Sequence, residues 1–183
     1  HPTMGNGQPN KELNRFLMEL VSTLVSVIEQ KDRFLRGHSE RVGNLCVGFA
    51  RSLPAGVDAC VEKLYFAGLL HDIGMVYMPL ELVQKPAPLT RDELVVIRQH
   101  PVISETILSH LSIVRDILPA IRHHHEACDG SGYPDGLRGT EIPQGARILA
   151  LADGYDAMVS PRAHRAAMSP GQALEEIYRG AGK

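Results

Sequence analysis

The chain has 183 residues, 44% of them hydrophobic, and a formal charge of -2, which suits one soluble domain with a sizeable core. No basic stripe marks a nucleic-acid surface, although a small anionic ligand is compatible with this balance. No apolar run reaches the roughly 20 residues that cross a bilayer, and no signal peptide is seen.

With four Phe, five Tyr and no Trp, the core must be built from Leu, Ile, Val and Ala. The three cysteines, Cys46, Cys60 and Cys128, form no CxxC. That argues against a disulfide framework or a thiolate zinc site and for a reducing, cytoplasmic compartment.

Helical periodicity dominates from the start. Residues 1–10 read as a tag remnant or disordered leader, and 11–37 as an N-terminal helix. There Leu13, Phe16, Leu17, Leu20, Leu24, Val27 and Ile28 recur at three- and four-residue steps, making one apolar stripe. The stripe reads as core packing, with a connector to a missing upstream domain as the alternative. A second helix follows Gly37, with Val42, Leu45 and Phe49 inward, and Pro54-Ala55-Gly56 ends it. Val57 to Leu70 is apolar nearly all round, as a buried helix is. Gly74 and Pro79 break the pattern, and Lys85-Pro86-Ala87-Pro88 reads as loop. Thr90 with Glu93 is a capping-box signature that opens a helix toward His100. Pro101 suits a first helical turn. Another helix is expected from about Ile113 to His123. Residues 127–143, rich in Gly and Pro, form an irregular loop or small hairpin. Pro143 to Met158 is helical again, and Ser169-Pro170 with Gln172 caps a last helix. The fold class is therefore all-α, a helical bundle. The main domain covers 38–183, with both ends read as cut points in a longer protein.

Chemistry concentrates at a few places. Ala146, Leu149, Ala150, Asp153 and Ala157 share one helical face, so a carboxylate lies in a stripe that should be buried. It needs a cation: an arginine, or a metal. His71-Asp72 ends the apolar helix, either as a polar terminus with His71 capping carbonyls or as a buried pair, Asp72 bridging two metals. His124 and His125 point about 100° apart on a helix, whereas His123 faces elsewhere. His100 alone is unremarkable. Carboxylates with several imidazoles and no thiolate suit iron, manganese or zinc. Two such ions can clamp the attacking and leaving oxygens of a phosphoryl centre.

In order, His71-Asp72-Ile73-Gly74, His100-Pro101, His124-His125-Glu126, Asp129-Gly130-Ser131-Gly132-Tyr133-Pro134 and Leu151-Ala152-Asp153-Gly154-Tyr155-Asp156-Ala157 resemble the HD-GYP domain, a branch of the HD metal-dependent phosphohydrolases. The likeness runs from about Lys31 to Glu176. It implies an all-helical bundle of the HD type that hydrolyses cyclic di-GMP to linear pGpG, and onward to GMP in some members, by attack of a hydroxide held between two metals.

By that resemblance the metal ligands are His71, Asp72, His100, His124, His125 and Asp153. His38 is a further ligand, and His71 with Asp72 is the catalytic pair. Arg162 and Arg165 match phosphate-contacting positions, where the plainer reading is a solvated surface pair. Gly132, Tyr133 and Pro134 match the loop that handles substrate. Two divalent ions are implied, iron or manganese first, zinc or nickel also fitting. A third ion would need a glutamate four residues before His38, where this chain has Phe34. Met75 replaces the family's usual lysine after His-Asp-Ile-Gly and supplies no charge or donor. The nearest following lysine is Lys85. Reduced activity is expected from that change, and the alternatives are a weakly catalytic cyclic-dinucleotide-binding module or a hydrolase of another cyclic dinucleotide. An upstream sensory or receiver domain and a homodimer complete the expected partners.

Overall fold

The computed structural model describes residues 8–53, 61–162 and 166–182. Among them, nine α-helices and four 3-10 segments follow one another, and no β-strand occurs. The helices are α1 Gln8–Glu29, α2 His38–Ser52, α3 Val61–Leu70, α4 Leu80–Val83, α5 Arg91–Ile97, α6 His100–Leu108, α7 Leu118–Arg122, α8 Gln144–Val159 and α9 Pro170–Arg179. The Pro54-Ala55-Gly56 break and the start of the Val57–Leu70 helix lie outside the described residues.

The core lies where α2, α3, α7 and α8 meet. Val42, Ala67, Ile121, Leu149 and Ala152 are its buried centre. At about 25 cal/mol per Å² of apolar surface removed from water, aliphatic contacts of this kind dominate the folding free energy. The α2–α3 contact is close because glycine faces glycine. A Cβ on Gly68 would stand 2.5 Å from the Gly43 Cα.

Both capping boxes read from the sequence are present. Thr90 accepts from the Glu93 amide and Glu93 reaches back, and Ser169 with Gln172 does the same for α9. The Ile113–His123 helix is instead split into a 3-10 segment Ser112–Ile117 and α7. Pro119 accounts for the break, since it lacks the amide donor that an unbroken helix would need there and fits the first turn of α7 instead. Residues 127–143 form no hairpin; they are loop with one 3-10 turn, Gly139–Glu141. Along α1 the apolar stripe is covered only toward its end. Val25 is buried, while Leu13, Phe16, Leu17, Leu20, Leu24 and Val27 are exposed. No helix of the described residues is long and apolar enough to cross a membrane.

Candidate metal centre

Five places in the chain deliver imidazoles and carboxylates to one buried spot. Gly37, in the left-handed region at φ 69°, turns the chain so that α2 opens on His38. The apolar α3 carries His71-Asp72 inward and is followed by a 3-10 turn, Ile73–Tyr77. Ser104 of α6 pins that turn: its hydroxyl donates to the His71 carbonyl at 2.7 Å and accepts from the Gly74 amide at 2.8 Å. α6 opens on His100, His124-His125 follow α7, and α8 supplies Asp153.

The side chains fall into two clusters. His38, His71 and Asp153 have donor atoms within 4.8 Å of one another, and so do His100, His124 and His125. Asp72 lies between them. Its Oδ2 is 3.4 Å from His71 Nε2 and 4.0 Å from His38 Nε2, while its Oδ1 is 3.2 Å from His100 Nε2 and 4.0 Å from His124 Nε2. One carboxylate thus presents one oxygen to each cluster.

The donor chemistry fits divalent cations. His71 Nδ1 meets the Gly68 carbonyl at 2.7 Å, His100 Nδ1 the Ile97 carbonyl at 2.8 Å and His124 Nδ1 the Ile121 carbonyl at 2.6 Å. A carbonyl only accepts, so each Nδ1 carries a proton, and the Nε2 left facing inward is the nitrogen whose lone pair a cation would take. Two such lone pairs, on His100 and His124, face each other at 3.5 Å. The buried Nε2 of His71 has no hydrogen-bond partner. Converging lone pairs repel unless a cation lies among them, and an orphaned buried acceptor costs about 1–3 kcal/mol. The arrangement matches how metal-binding histidines are oriented through their second nitrogen.

Proton occupancy follows from the same neighbours. Burial depresses His38, but its hydrogen bonds to Asp153 and Asp156 outweigh this and push its pKa up to about 10. His71 is also raised, with the Asp72 charge overcoming burial. His125 is pushed down to about 4 by burial and then by the His100 charge, and His124 is depressed by burial and by His125. Burial raises the Asp72 carboxyl, yet the adjacent His71 and His100 imidazoles hold it well below the usual range.

A ligating imidazole must lose its proton. Without metal, burial is outweighed and His38 holds its proton up to about pH 10, so an ion held by His38 at neutral pH would have to expel it. Affinity for Mn²⁺ is therefore expected to rise at least about tenfold per unit between pH 6 and 8. Calorimetric titration across that range checks the slope, and a flat profile would contradict it.

The arginine considered as a partner for Asp153 is found one helical turn later. Asp153 Oδ1 meets His38 Nε2 at 3.3 Å. Asp156, 2% exposed, takes Arg41 Nε at 2.6 Å and His38 Nδ1 at 2.8 Å. Asp156 orients His38 through the ring nitrogen that faces away from the cluster. The sequence signal was the i, i+3 spacing of His38 with Arg41 and of Asp153 with Asp156. Asp156→Asn, which removes the charge but keeps an acceptor, is expected to weaken metal binding about 10- to 100-fold. Competition with a chromophoric chelator measures this, and an unchanged affinity would remove Asp156 from the site.

The remaining predicted residues divide. Tyr133 lies against the site: its ring stacks on His125 with centroids 4.9 Å apart, its amide donates to the His125 carbonyl at 3.1 Å, and the Arg98 guanidinium is 5.1 Å from its ring centre. Gly132 packs so closely that a Cβ would stand 2.2 Å from the Ala127 amide nitrogen, and a cis bond joins Tyr133 to Pro134. Glu126 holds this loop by accepting from the amides of Asp135, Gly136 and Leu137 at 2.7–3.1 Å. His123 faces away, bonding Asp135 at 2.9 Å. Arg162 is half-buried just past the end of α8, and Arg165 lies outside the described residues. Lys85 is bound to Glu93 at 2.6 Å. The lysine that does reach the turn carrying Met75 is Lys31, which sequence reasoning missed.

A helical bundle that gathers histidines from several helix ends around a paired His-Asp has the make-up of a metal-dependent HD protein. The family model described as "HD domain" matches residues 22–183. The chain belongs to that family. It is 37% identical over 174 residues to a cyclic di-GMP phosphodiesterase of Thermotoga maritima, covering 94% of this chain and 47% of that protein. It is 34% identical over 158 residues to 3'3'-cGAMP-specific phosphodiesterase 1 of Vibrio cholerae, covering 86% of this chain and 36% of that protein. The chain thus spans about a third to a half of the length of these relatives. Among solved structures, the HDG"Y"P protein Bd1817 from Bdellovibrio bacteriovorus superposes with a TM-score of 0.63 at 23% identity, covering 80% of this chain and 47% of that one. At that identity the likeness speaks for the fold alone.

Proposed function

We propose that this domain is a metal-dependent phosphodiesterase that opens cyclic di-GMP to linear pGpG. The observation that carries the reading is Asp72, with one carboxylate oxygen facing each of two imidazole clusters. His38, His71 and Asp153 would hold one divalent ion, His100, His124 and His125 the other, and Asp72 both. When bound, such ions supply Lewis-acid stabilisation of phosphoryl charge and lower the pKa of water. Iron and manganese suit these ligands first, with zinc and nickel also compatible. Phe34, where a glutamate would serve a third ion, favours two.

The chain's own residues do the rest. The carbonyls behind His71, His100 and His124 fix ring orientation before substrate arrives, so little reorganisation remains for the reacting state. Asp156 and Arg41 hold His38. Tyr133 covers His125 and, with Gly132 and Pro134, borders the face where a guanylate base would lie. Arg162 and Arg165 are the candidates for its phosphates. In-line displacement by water at one phosphorus breaks the bond to the 3′ oxygen and yields linear pGpG. Two ions rather than three favour stopping there rather than continuing to GMP.

Protein loaded anaerobically with iron or manganese is expected to convert cyclic di-GMP to pGpG, separated chromatographically. No turnover with any of the four metals would overturn the reading. Running 3'3'-cGAMP alongside decides the substrate, because a relative carries that specificity in its name. A preference for it would shift the proposal to another cyclic dinucleotide.

A weakly catalytic binding module is the second reading, and Met75 is the observation that favours it. Its side chain lines the cleft beside His38 and Asp72, where it offers no charge to a phosphate. Met75→Lys is expected to raise the rate by on the order of 10², the scale of one electrostatic stabiliser. Unchanged kinetics would show that Met75 does not limit the reaction. Control by an upstream sensory or receiver domain, or by pairing of two copies, belongs to the same reading and is supported by the exposed apolar face of α1.

A further inference from the structure

The end of α1 touches two of the three segments that bring ligands to the first cluster. Glu29, 8% exposed, is the last residue of α1. Its carboxylate accepts from the Gly37 amide at 2.6 Å through Oε2 and from the Ser39 amide at 2.9 Å through Oε1. Those amides flank His38, so one carboxylate fixes the backbone on both sides of that imidazole. Charge at the opening turn of α2 is also favourable, because an anion there meets the positive end of the helix dipole.

Two residues later, the Lys31 ammonium donates to the carbonyls of Met75 at 3.2 Å, Val76 at 2.6 Å and Met78 at 3.1 Å. An ammonium has three donors, and here three carbonyls use them. They are the carbonyls at the end of the 3-10 turn that begins just after Asp72. The Lys31 carbonyl is itself held by Gln84 Nε2 at 2.8 Å. Two residues at and just past the end of α1 thus grip the His38 segment with one arm and the Asp72 segment with the other. No hydrogen bond or ion pair of either side chain reaches His100, His124 or His125 among the described residues.

We infer that Glu29 and Lys31 are positioning residues that set the separation of His38 from Asp72, and so act first on the metal occupancy of the first cluster. The inference rests on the two-ion reading above and deepens it. The His38 Nε2 to Asp72 Oδ2 distance, 4.0 Å, is the quantity the two arms control. In a chain with Met75 in the turn that follows Asp72, Lys31 supplies the positive charge on that turn, spent on carbonyls rather than left for substrate.

Two variants test it, Glu29→Gln, which leaves one acceptor oxygen, and Lys31→Met, which keeps the stem and removes all three donors. Each is titrated with Mn²⁺ alone, by calorimetry and by electron paramagnetic resonance, with thermal unfolding of the metal-free protein followed alongside. Wild-type protein is expected to bind two ions. In either variant one ion is expected to bind within about twofold of wild type and the other at least tenfold more weakly. A general loss of structure would weaken both together, which the unfolding midpoint also reports. Equal weakening of both ions, no weakening in either variant, or fewer than two ions on the wild type would overturn the inference. Selective loss of one ion in protein that hydrolyses no cyclic dinucleotide would sink the phosphodiesterase reading and leave this one standing.

Discussion

Asp72→Ala is expected to abolish hydrolysis while leaving the protein folded. Among the described residues this side chain faces both clusters, Oδ2 toward His71 and Oδ1 toward His100. A cation at either cluster would lose an anionic oxygen at the same stroke. Loss of a single electrostatic stabiliser costs about 10²–10³ in rate; a group shared by two ions should cost more, at least about 10³ in kcat/KM. Manganese stoichiometry should fall from two ions to one or none. The fold should tolerate the change, because Asp72 holds no helix end and its side chain is about a quarter exposed. Steady-state kinetics with metal analysis on the same sample decide the matter. A variant that keeps both ions and hydrolyses within tenfold of wild type would remove Asp72 from the centre of the proposal.

Gly74→Ala is expected to produce a large loss of stability from a single added methyl group. A Cβ at this position would stand 2.2 Å from the His100 carbonyl oxygen and 2.8 Å from the Ser104 amide nitrogen and hydroxyl. The first two are backbone atoms of α6, so relief requires the helix to move rather than a side chain to rotate. Moving it breaks the Ser104 hydroxyl's bonds to the His71 carbonyl and the Gly74 amide. Overpacking of this kind costs about 1–3 kcal/mol or more. A loss of about 3 kcal/mol would lower Tm by roughly 6–12 °C in a domain of this length. The same shift separates His100 from Asp72, so metal affinity should fall with stability. Gly154 is the contrast, since its Cβ would meet nothing within 4 Å. In the interior of α8, alanine there should add up to about 1 kcal/mol. Thermal unfolding of the two variants side by side tests the argument, and a Gly74→Ala midpoint within 2 °C of wild type would refute it.

Much of the bundle was legible because helices announce themselves locally. The Thr90–Glu93 and Ser169–Gln172 signatures depend on residues three apart, and Gly37 before α2 depends on one φ angle. The Ser112–Arg122 stretch was misread where Pro119 competes with an unbroken apolar pattern. The stripe on α1 shows the limit of periodicity: it reports that one face is apolar, not that anything covers it. Leu13, Leu17 and Leu24 satisfy the pattern and remain exposed.

The candidate site was legible as an inventory and not as an arrangement. Imidazoles and carboxylates in excess of what packing needs can be counted in a sequence. Which imidazole aims which nitrogen inward cannot, because it depends on carbonyls three residues back in folded helices. Arg41 on Asp156, Glu29 on the amides around His38, and Lys31 on the turn after Asp72 join positions up to 115 apart. Lys85, closest along the chain, went to Glu93 instead.

By itself, then, the amino-acid order determined the helical class, most element ends and the chemical type of the centre, since each follows from short-range periodicity, capping and side-chain chemistry. Only the tertiary structure decided that seven of those side chains form two groups sharing Asp72, and that the end of α1 grips both arms of one of them. Distances between groups far apart in sequence are set by how helices pack, and packing is a property of the whole chain.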